Sequence, residues 1–207
     1  MIDPGLIDMI MRLRGRGISD NAVLKAMELS PRKHFVGESL FEAAYDEQSL
    51  PTSCGQTVSP PLTIALMTQM LELTPEHKLL EIGCGSGYHT AILSKIVKRV
   101  YSVERYKQLI REAEARFKTL GITNHVIRHG DGRYGWGGQA PFDRIILTCA
   151  LRAEPAMLID QLAPNGKLVA VVDDQLTRYS KARKKVTVET LFPLQVPMIE
   201  AGKSKVL

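Results

Sequence analysis

The chain has 207 residues, 44% hydrophobic and 24% charged, with a formal net charge of +5 at pH 7. This composition suits a globular domain with a sizeable core and excludes collagenous or disordered classes. The most apolar run, LTIALMTQMLEL, is broken by Thr68, Gln69 and Glu72, so it cannot serve as a transmembrane helix.

The first thirty-odd residues read as helical. Ile7, Ile10, Met11 and Arg14 share one face of the first helix. Ser19 or Asp20 is placed to cap a second through Glu28, which Pro31 stops. Asp3, Pro4 and Asp8 stand where a signal peptide needs a basic end and an apolar run. Residues 35–61 are irregular and end in SLPTSCGQTVSPP, after which Leu62 to Leu73 regains helical spacing. KLLEIG is a short strand closed by glycine, followed by the helical YHTAILSKIV. RVYSVE is a second strand, and YKQLIREAEARFKTLG an amphipathic helix with Leu109, Ile110, Ala113, Phe117 and Leu120 on one stripe and Gly121 as its C-cap. HVIRH, DRIILT and KLVAVV are further strands, and EPAMLIDQLAPNG is a helix with Pro155 in its first turn. Strands alternating with helices predict a mostly parallel, doubly wound sheet with its ligand edge at the carboxyl ends of the strands. Residues 1–61 are expected to form a helical extension and a loop on the substrate side, and 62–207 the core, as one structural unit.

LLEIGCGSGYHTAIL is strand, glycine loop, helix. A phosphate-binding P-loop needs a lysine, and this loop has neither lysine nor arginine. The dinucleotide fingerprint needs glycine at position 88, where Tyr88 stands. What remains is a cofactor without phosphates, for which S-adenosylmethionine (SAM), a sulfonium cation, is the right chemistry. Glu104 ends the second strand, where a carboxylate can accept from ribose hydroxyls. Asp131 in HGDGR follows the third strand and could accept from the adenine amino group. Together they point to an α/β fold of the class I SAM-dependent methyltransferase type, a Rossmann-like doubly wound sheet with a helical N-terminal extension. The expected cofactor set is Gly83, Cys84, Gly85, Ser86, Gly87, Glu104, Arg105, Asp131 and Gly132.

The acceptor is argued from the fourth strand onward. LTCA lacks the Asn/Asp-Pro-Pro-aromatic motif of adenine methylation. Cys149 lacks the proline that precedes the nucleophile in cytosine methylation, so it reads as a small buried hydrophobe. His125 and His129 share a strand face but lie about 13 Å apart in extended chain, too far for one metal ion, and no metal is expected. With no evident general base, a carboxylate acceptor fits, because it is already ionised at neutral pH.

SPRKHFV, AAYDEQSLP, GQTVS, LLEIGCGSGY, VYSVER, GDGRYGW and APFDRI together resemble, in order, the protein-L-isoaspartate (D-aspartate) O-methyltransferase family. The resemblance implies SAM-dependent methyl esterification of the α-carboxyl of isoaspartyl residues in damaged proteins and peptides. It implies that Ser59 holds the acceptor carboxylate as the catalytic residue and that Thr57 helps shape the substrate pocket. Alternatively, Ser59 caps the helix from 62, with Pro60 as its first residue. The family usually has Ile-Gly where this chain has Thr52-Ser53, and a polar residue where it has Pro60. Leu151 and Arg152 are further departures. They keep open a methyltransferase with another acceptor (a different carboxylate, a peptide or RNA) or an inactive SAM-binding relative. Three cysteines without a CxxC pair read as a reduced, cytoplasmic protein. The basic cluster SKARKK lacks interleaved aromatics and reads as a solvated loop or turn. No nucleic-acid or membrane partner is expected, and a monomer is.

Overall fold

The computed structural model describes residues 3–183 and 185–204. A seven-stranded sheet runs through it in the order β5-β4-β3-β6-β7-β8-β9. The strands are β3 (Lys78–Ile82), β4 (Arg99–Glu104), β5 (His125–His129), β6 (Phe142–Leu151), β7 (Leu162–Val172), β8 (Gln175–Ala182) and β9 (Lys185–Pro193). The first five are parallel, and β8 and β9 close the sheet as an antiparallel meander. The chain winds outward from β3 to β5, then returns to β6 on the other side of β3. The switch point therefore lies between β3 and β6, where open α/β sheets bind ligands.

Leu79, Val100, Ile146 and Val169 turn one face of the sheet toward α1 (Pro4–Gly15), α2 (Asn21–Glu28), α3 (Pro61–Gln69), α4 (Tyr88–Ser94) and α5 (Lys107–Thr119). Leu80, Ile82, Ile145 and Leu168 turn the other toward Leu158 and Ile159 of the short helix α6 (Ala156–Ile159). The alternation follows from the period of two along a strand. On α5, Leu109, Ala113 and Phe117 are buried as their spacing requires, and Gly121 follows the helix with φ +65°.

Several expectations need correction, and the choice between Ser19 and Asp20 is decided. The buried face of α1 is Leu6, Met9 and Leu13, while Ile7 and Met11 are exposed; α1 carries two apolar stripes, and α2 and α3 cover the first. The cap of α2 is Asp20, which accepts from the amides of Ala22 and Val23. Ser59 does not cap α3: Pro60 holds the cap position, Pro61 the first helical position, and the amide of Leu62 donates to the Glu47 carboxylate at 3.0 and 3.2 Å. The helix expected from EPAMLIDQL is a single turn before β7 begins. β8 and β9 went unforeseen. SKARKK forms the hairpin turn between them at Arg183, with Lys184 outside the described residues. Lys181 is not solvated there, since its ammonium donates to the carbonyls of Ile159 and Leu162.

Residues 50–58 form a small hairpin, β1 (Leu50–Pro51) against β2 (Thr57–Val58), with GQTVS as its second arm. Its tip turns at Cys54 and Gly55, both at positive φ. Arg32 lies beneath, fully buried, and donates to five carbonyls: Ala44 and Asp46 from Nη1, and Gln48, Val58 and Ser59 from Nη2, four of them at 2.9 Å.

Gly87 precedes α4 with φ +88°, and a Cβ there would meet the Phe117 ring at 2.8 Å. Gly87→Ala therefore combines left-handed strain with overpacking against α5. It is expected to destabilise the fold by about 2–4 kcal/mol, read by urea denaturation as a lower midpoint with unchanged slope.

Candidate active site

A cleft of about 930 Å3, counted out to open solvent, lies over the switch point. Its floor is the loop after β3. Gly83 has φ +90°, and a Cβ on it would strike the Thr148 hydroxyl at 2.5 Å. Thr148, at the end of the neighbouring β6, sits 2.9 and 2.8 Å from the carbonyls of Ile82 and Gly83 and pins the loop. Glu104 ends β4 and shapes the same loop from the side. One carboxylate oxygen accepts from the Gly85 amide at 3.0 Å, the other from the amides of Arg105 and Tyr106. The oxygen facing Gly85 keeps lone-pair capacity for a further donor in the cleft.

The far wall is the C-terminal tail. β6 runs past the last residue of β3, and the tail uses the edge left free: Ala150 donates to Pro197, and Ile199 donates to Ala150. Pro197, Met198, Ile199 and Glu200 thereby line the cleft. Arg105 fastens them, pairing with Glu200 and donating to the carbonyls of Ala201 and Gly202. Its charge is spent on the tail, so the glycine loop keeps its uncharged face.

Of the expected cofactor residues, Gly83, Cys84, Gly85, Ser86, Glu104, Arg105 and Gly132 line the cleft. Gly87 lies behind it, as the N-terminal hinge of α4. Asp131 stands beside it with both oxygens engaged: Arg133 chelates the carboxylate, and the Gly202 amide donates to it at 2.8 Å. The Arg133 contact holds the Asp131 carboxyl down at about 2. Ser59 and Thr57 line the same cleft, with Gln56. The Ser59 hydroxyl has no hydrogen bond to any described residue, while its carbonyl is held by Arg32. Ser53, one of the departures from the family pattern, ties the hairpin to α5 by donating to Glu112 at 2.7 Å.

Neither the half-buried thiol of Cys149, which lines the cleft, nor the buried imidazole of His89 is active here. Burial, with the Glu104 carboxylate nearby, pushes the Cys149 thiol up to about 12, which leaves a small hydrophobe. Burial drives His89 down to about 3. Thr68 donates its hydroxyl proton to Ile64, so the contact at 2.8 Å requires the imidazole Nε2–H to donate to Thr68. His125 packs edge-on against Phe117, and His129 lies 3.0 Å from the Arg105 carbonyl.

A family model, protein-L-isoaspartate(D-aspartate) O-methyltransferase, matches residues 7–200. A protein-L-isoaspartate O-methyltransferase of Maricaulis maris is 46% identical over 209 residues, 99% of this chain and 98% of its own length. One of Paramagnetospirillum magneticum is 44% identical over 205 residues, 96% of each. The chain belongs to the protein-L-isoaspartate(D-aspartate) O-methyltransferase family. Among solved structures, a protein-L-isoaspartate O-methyltransferase superposes with a TM-score of 0.84 at 23% identity, covering 95% of this chain and 66% of that one. A putative one from Plasmodium falciparum, in complex with S-adenosyl-L-homocysteine, gives 0.79 at 24% identity over 93% and 97%. Those two likenesses establish the class I methyltransferase fold. Family motifs such as SPRKHFV and AAYDEQSLP now have physical content: they carry Arg32 and Glu47, whose roles span 12 to 27 residues and have no local signature. The tail residues escaped the sequence reading altogether, since nothing in VPMIEAG marks a cleft wall.

Glu81, fully buried under the glycine loop, takes both neighbouring hydroxyls, Thr90 and Ser102, on one oxygen and leaves the other bare. Burial raises its carboxyl to about 7, against the pull of those two hydrogen bonds. Between pH 4.5 and 7 the folded state thus holds a proton that the unfolded chain releases. This contribution to stability is complete below about 4.5 and is lost as pH rises through about 7. Glu81→Gln is expected to gain on the parent chain by roughly 3 kcal/mol between pH 4 and pH 8, measured by urea denaturation at each pH. An unchanged difference would place the proton elsewhere.

Proposed function

We propose that this chain transfers the methyl group of SAM to the α-carboxyl of L-isoaspartyl residues in damaged proteins and peptides, as a repair methyltransferase of its family. The observation that carries the acceptor side is the Ser59 hydroxyl, without a hydrogen bond to any described residue and lining the same cleft as the glycine loop, its backbone held by Arg32. SAM fits that loop: it offers close backbone approach and no competing cation, and Glu104 has an acceptor to spare. When bound, SAM supplies an electrophilic methyl group on a sulfonium.

The residues of the chain then work by placement. Glu104 and the backbone from Gly83 to Ser86 hold the cofactor, with Arg105 and Gly132 at the edge of its site. Asp131 contributes through the fold of its loop and through the Gly202 amide. Ser59 donates to one oxygen of the acceptor carboxylate and orients the other along the methyl-transfer line; Thr57 lines the approach. No proton has to be removed from an ionised carboxylate, consistent with a neutral His89 and a protonated Cys149. The three cysteines are unpaired, which supports a reduced compartment such as the cytoplasm.

The direct test supplies methyl-labelled SAM and two peptides that differ only in one aspartyl or isoaspartyl linkage. Base-labile label on the isoaspartyl peptide alone is expected; label on neither would overturn the acceptor. In the same assay Ser59→Ala should lower kcat by about ten- to a hundredfold, the loss of one hydrogen bond to a charged group. Glu104→Ala should instead weaken SAM binding, measured by calorimetry.

A further inference from the structure

We infer that Glu47, acting with Arg32, is a positioning residue for methyl transfer: it takes over the capping of α3 and so leaves the Ser59 hydroxyl free to face the cleft. The inference rests on reading Ser59 as the residue that holds the acceptor.

A serine just before a helix ordinarily spends its side-chain oxygen on the first-turn amides. Here that use is blocked twice. Pro60 and Pro61, at the cap and first helical positions, have no amide hydrogen to offer. The next amide, Leu62, is already taken by both oxygens of Glu47, fifteen residues upstream. An anion at this end of the helix also meets the positive end of its dipole. Glu47 lines no part of the cleft, so it reaches the acceptor only through the backbone it holds.

Arg32 closes the arrangement from below. Its guanidinium holds the carbonyls of Val58 and Ser59 and, on the other side, those of Ala44, Asp46 and Gln48. The segment that carries Glu47 and the residue whose hydroxyl it spares are therefore fixed by one buried group. Glu47 then bridges from that segment to the residue three beyond Ser59, so the backbone of Ser59 is gripped before and after. Rotation of that backbone toward the helix axis would have to break an Arg32 bond or displace Glu47.

Arg32 is too deeply buried for its replacement to separate folding from positioning, so the test falls on exposed Glu47. Four full-length chains are compared with the parent on the isoaspartyl peptide: Glu47→Ala, Glu47→Gln, Ser59→Ala and the double variant Glu47→Ala with Ser59→Ala. The readouts are kcat, KM for peptide, SAM affinity and thermal midpoint. Glu47→Ala is expected to lower kcat by about five- to tenfold, as a misplaced contact does, with SAM affinity unchanged. Glu47→Gln keeps an acceptor oxygen and should recover most of that loss. In the Ser59→Ala background the Glu47→Ala change should cost nothing further in kcat, because no hydroxyl is left to place. A kcat loss of equal size in both backgrounds, no recovery with glutamine, or an effect on thermal midpoint alone would overturn the positioning role while leaving Ser59 as the acceptor residue. Full turnover in Ser59→Ala itself would instead overturn the reading of Ser59.

Discussion

One buried guanidinium organises the hairpin wall of the cleft. A loop built from TSCGQTVSPP has little beyond Val58 to bury as an apolar anchor, and its carbonyls would be costly to bury without donors. Arg32 supplies several directed donors from a single rigid fork, and they reach two separate stretches of chain, 44–48 and 58–59. Lysine could not do this, since its ammonium has three donors and no fixed plane. Tyr88, the first residue after the glycine loop, lies under the guanidinium with ring and cation 6.0 Å apart. The group that fixes the acceptor loop thus also leans on the helix that begins the cofactor loop. The two halves of the cleft share a wall of packed side chains, and their separation is set by the fold.

The cofactor side is built the opposite way, almost wholly from backbone. Positive φ at Gly83, Gly85 and Gly87 lets the loop turn without side chains, and Thr148 and Glu104 hold that turn through main-chain groups. The carboxylates concentrated there are kept compatible by different means. Glu104 accepts from the amides of Gly85, Arg105 and Tyr106. Glu81, beneath it, has too few donors and a raised pKa, so it need not add a second full charge below neutrality. The tail completes the enclosure because β6 outruns β3 and leaves an unpaired edge, a position that would otherwise invite pairing from another chain.

What was legible in the sequence follows a physical line. KLLEIGCGSGY, RVYSVE and the α5 stripe are local patterns whose meaning depends on neighbours within a few residues, and they folded as read. The face of α1 was not legible, because Ile7-Met11 and Leu6-Met9-Leu13 are both acceptable helical stripes, and only the arrival of α2 and α3 chooses between them. β8 and β9 were hidden by polar and charged residues. Arg178 and Lys181 are anchored by Glu189 and by the end of α6, while most of β9 is exposed at the sheet edge. The capping of α3 was open in the sequence for the same reason that makes it informative. The proline pair shows locally that an ordinary cap cannot form, but the substitute comes from a loop far upstream.

These observations bear on how a site without an active base can be selective. A carboxylate acceptor is abundant on any protein surface and needs no activation, so the chemistry itself discriminates little. With Ser59 as the proposed acceptor residue, selectivity comes from geometry: a hydroxyl and a methyl donor held in one cleft at a separation that the fold sets. A flexible Ser59 loop would accept carboxyl groups over a wider range of positions and lose that filter. The buried cation, the displaced helix cap and the Ser53 tie to α5 each remove freedom from the same nine-residue hairpin. On the proposed reading of Ser59, specificity comes from the hairpin that these contacts hold, and the hydroxyl only reports where the hairpin has been placed.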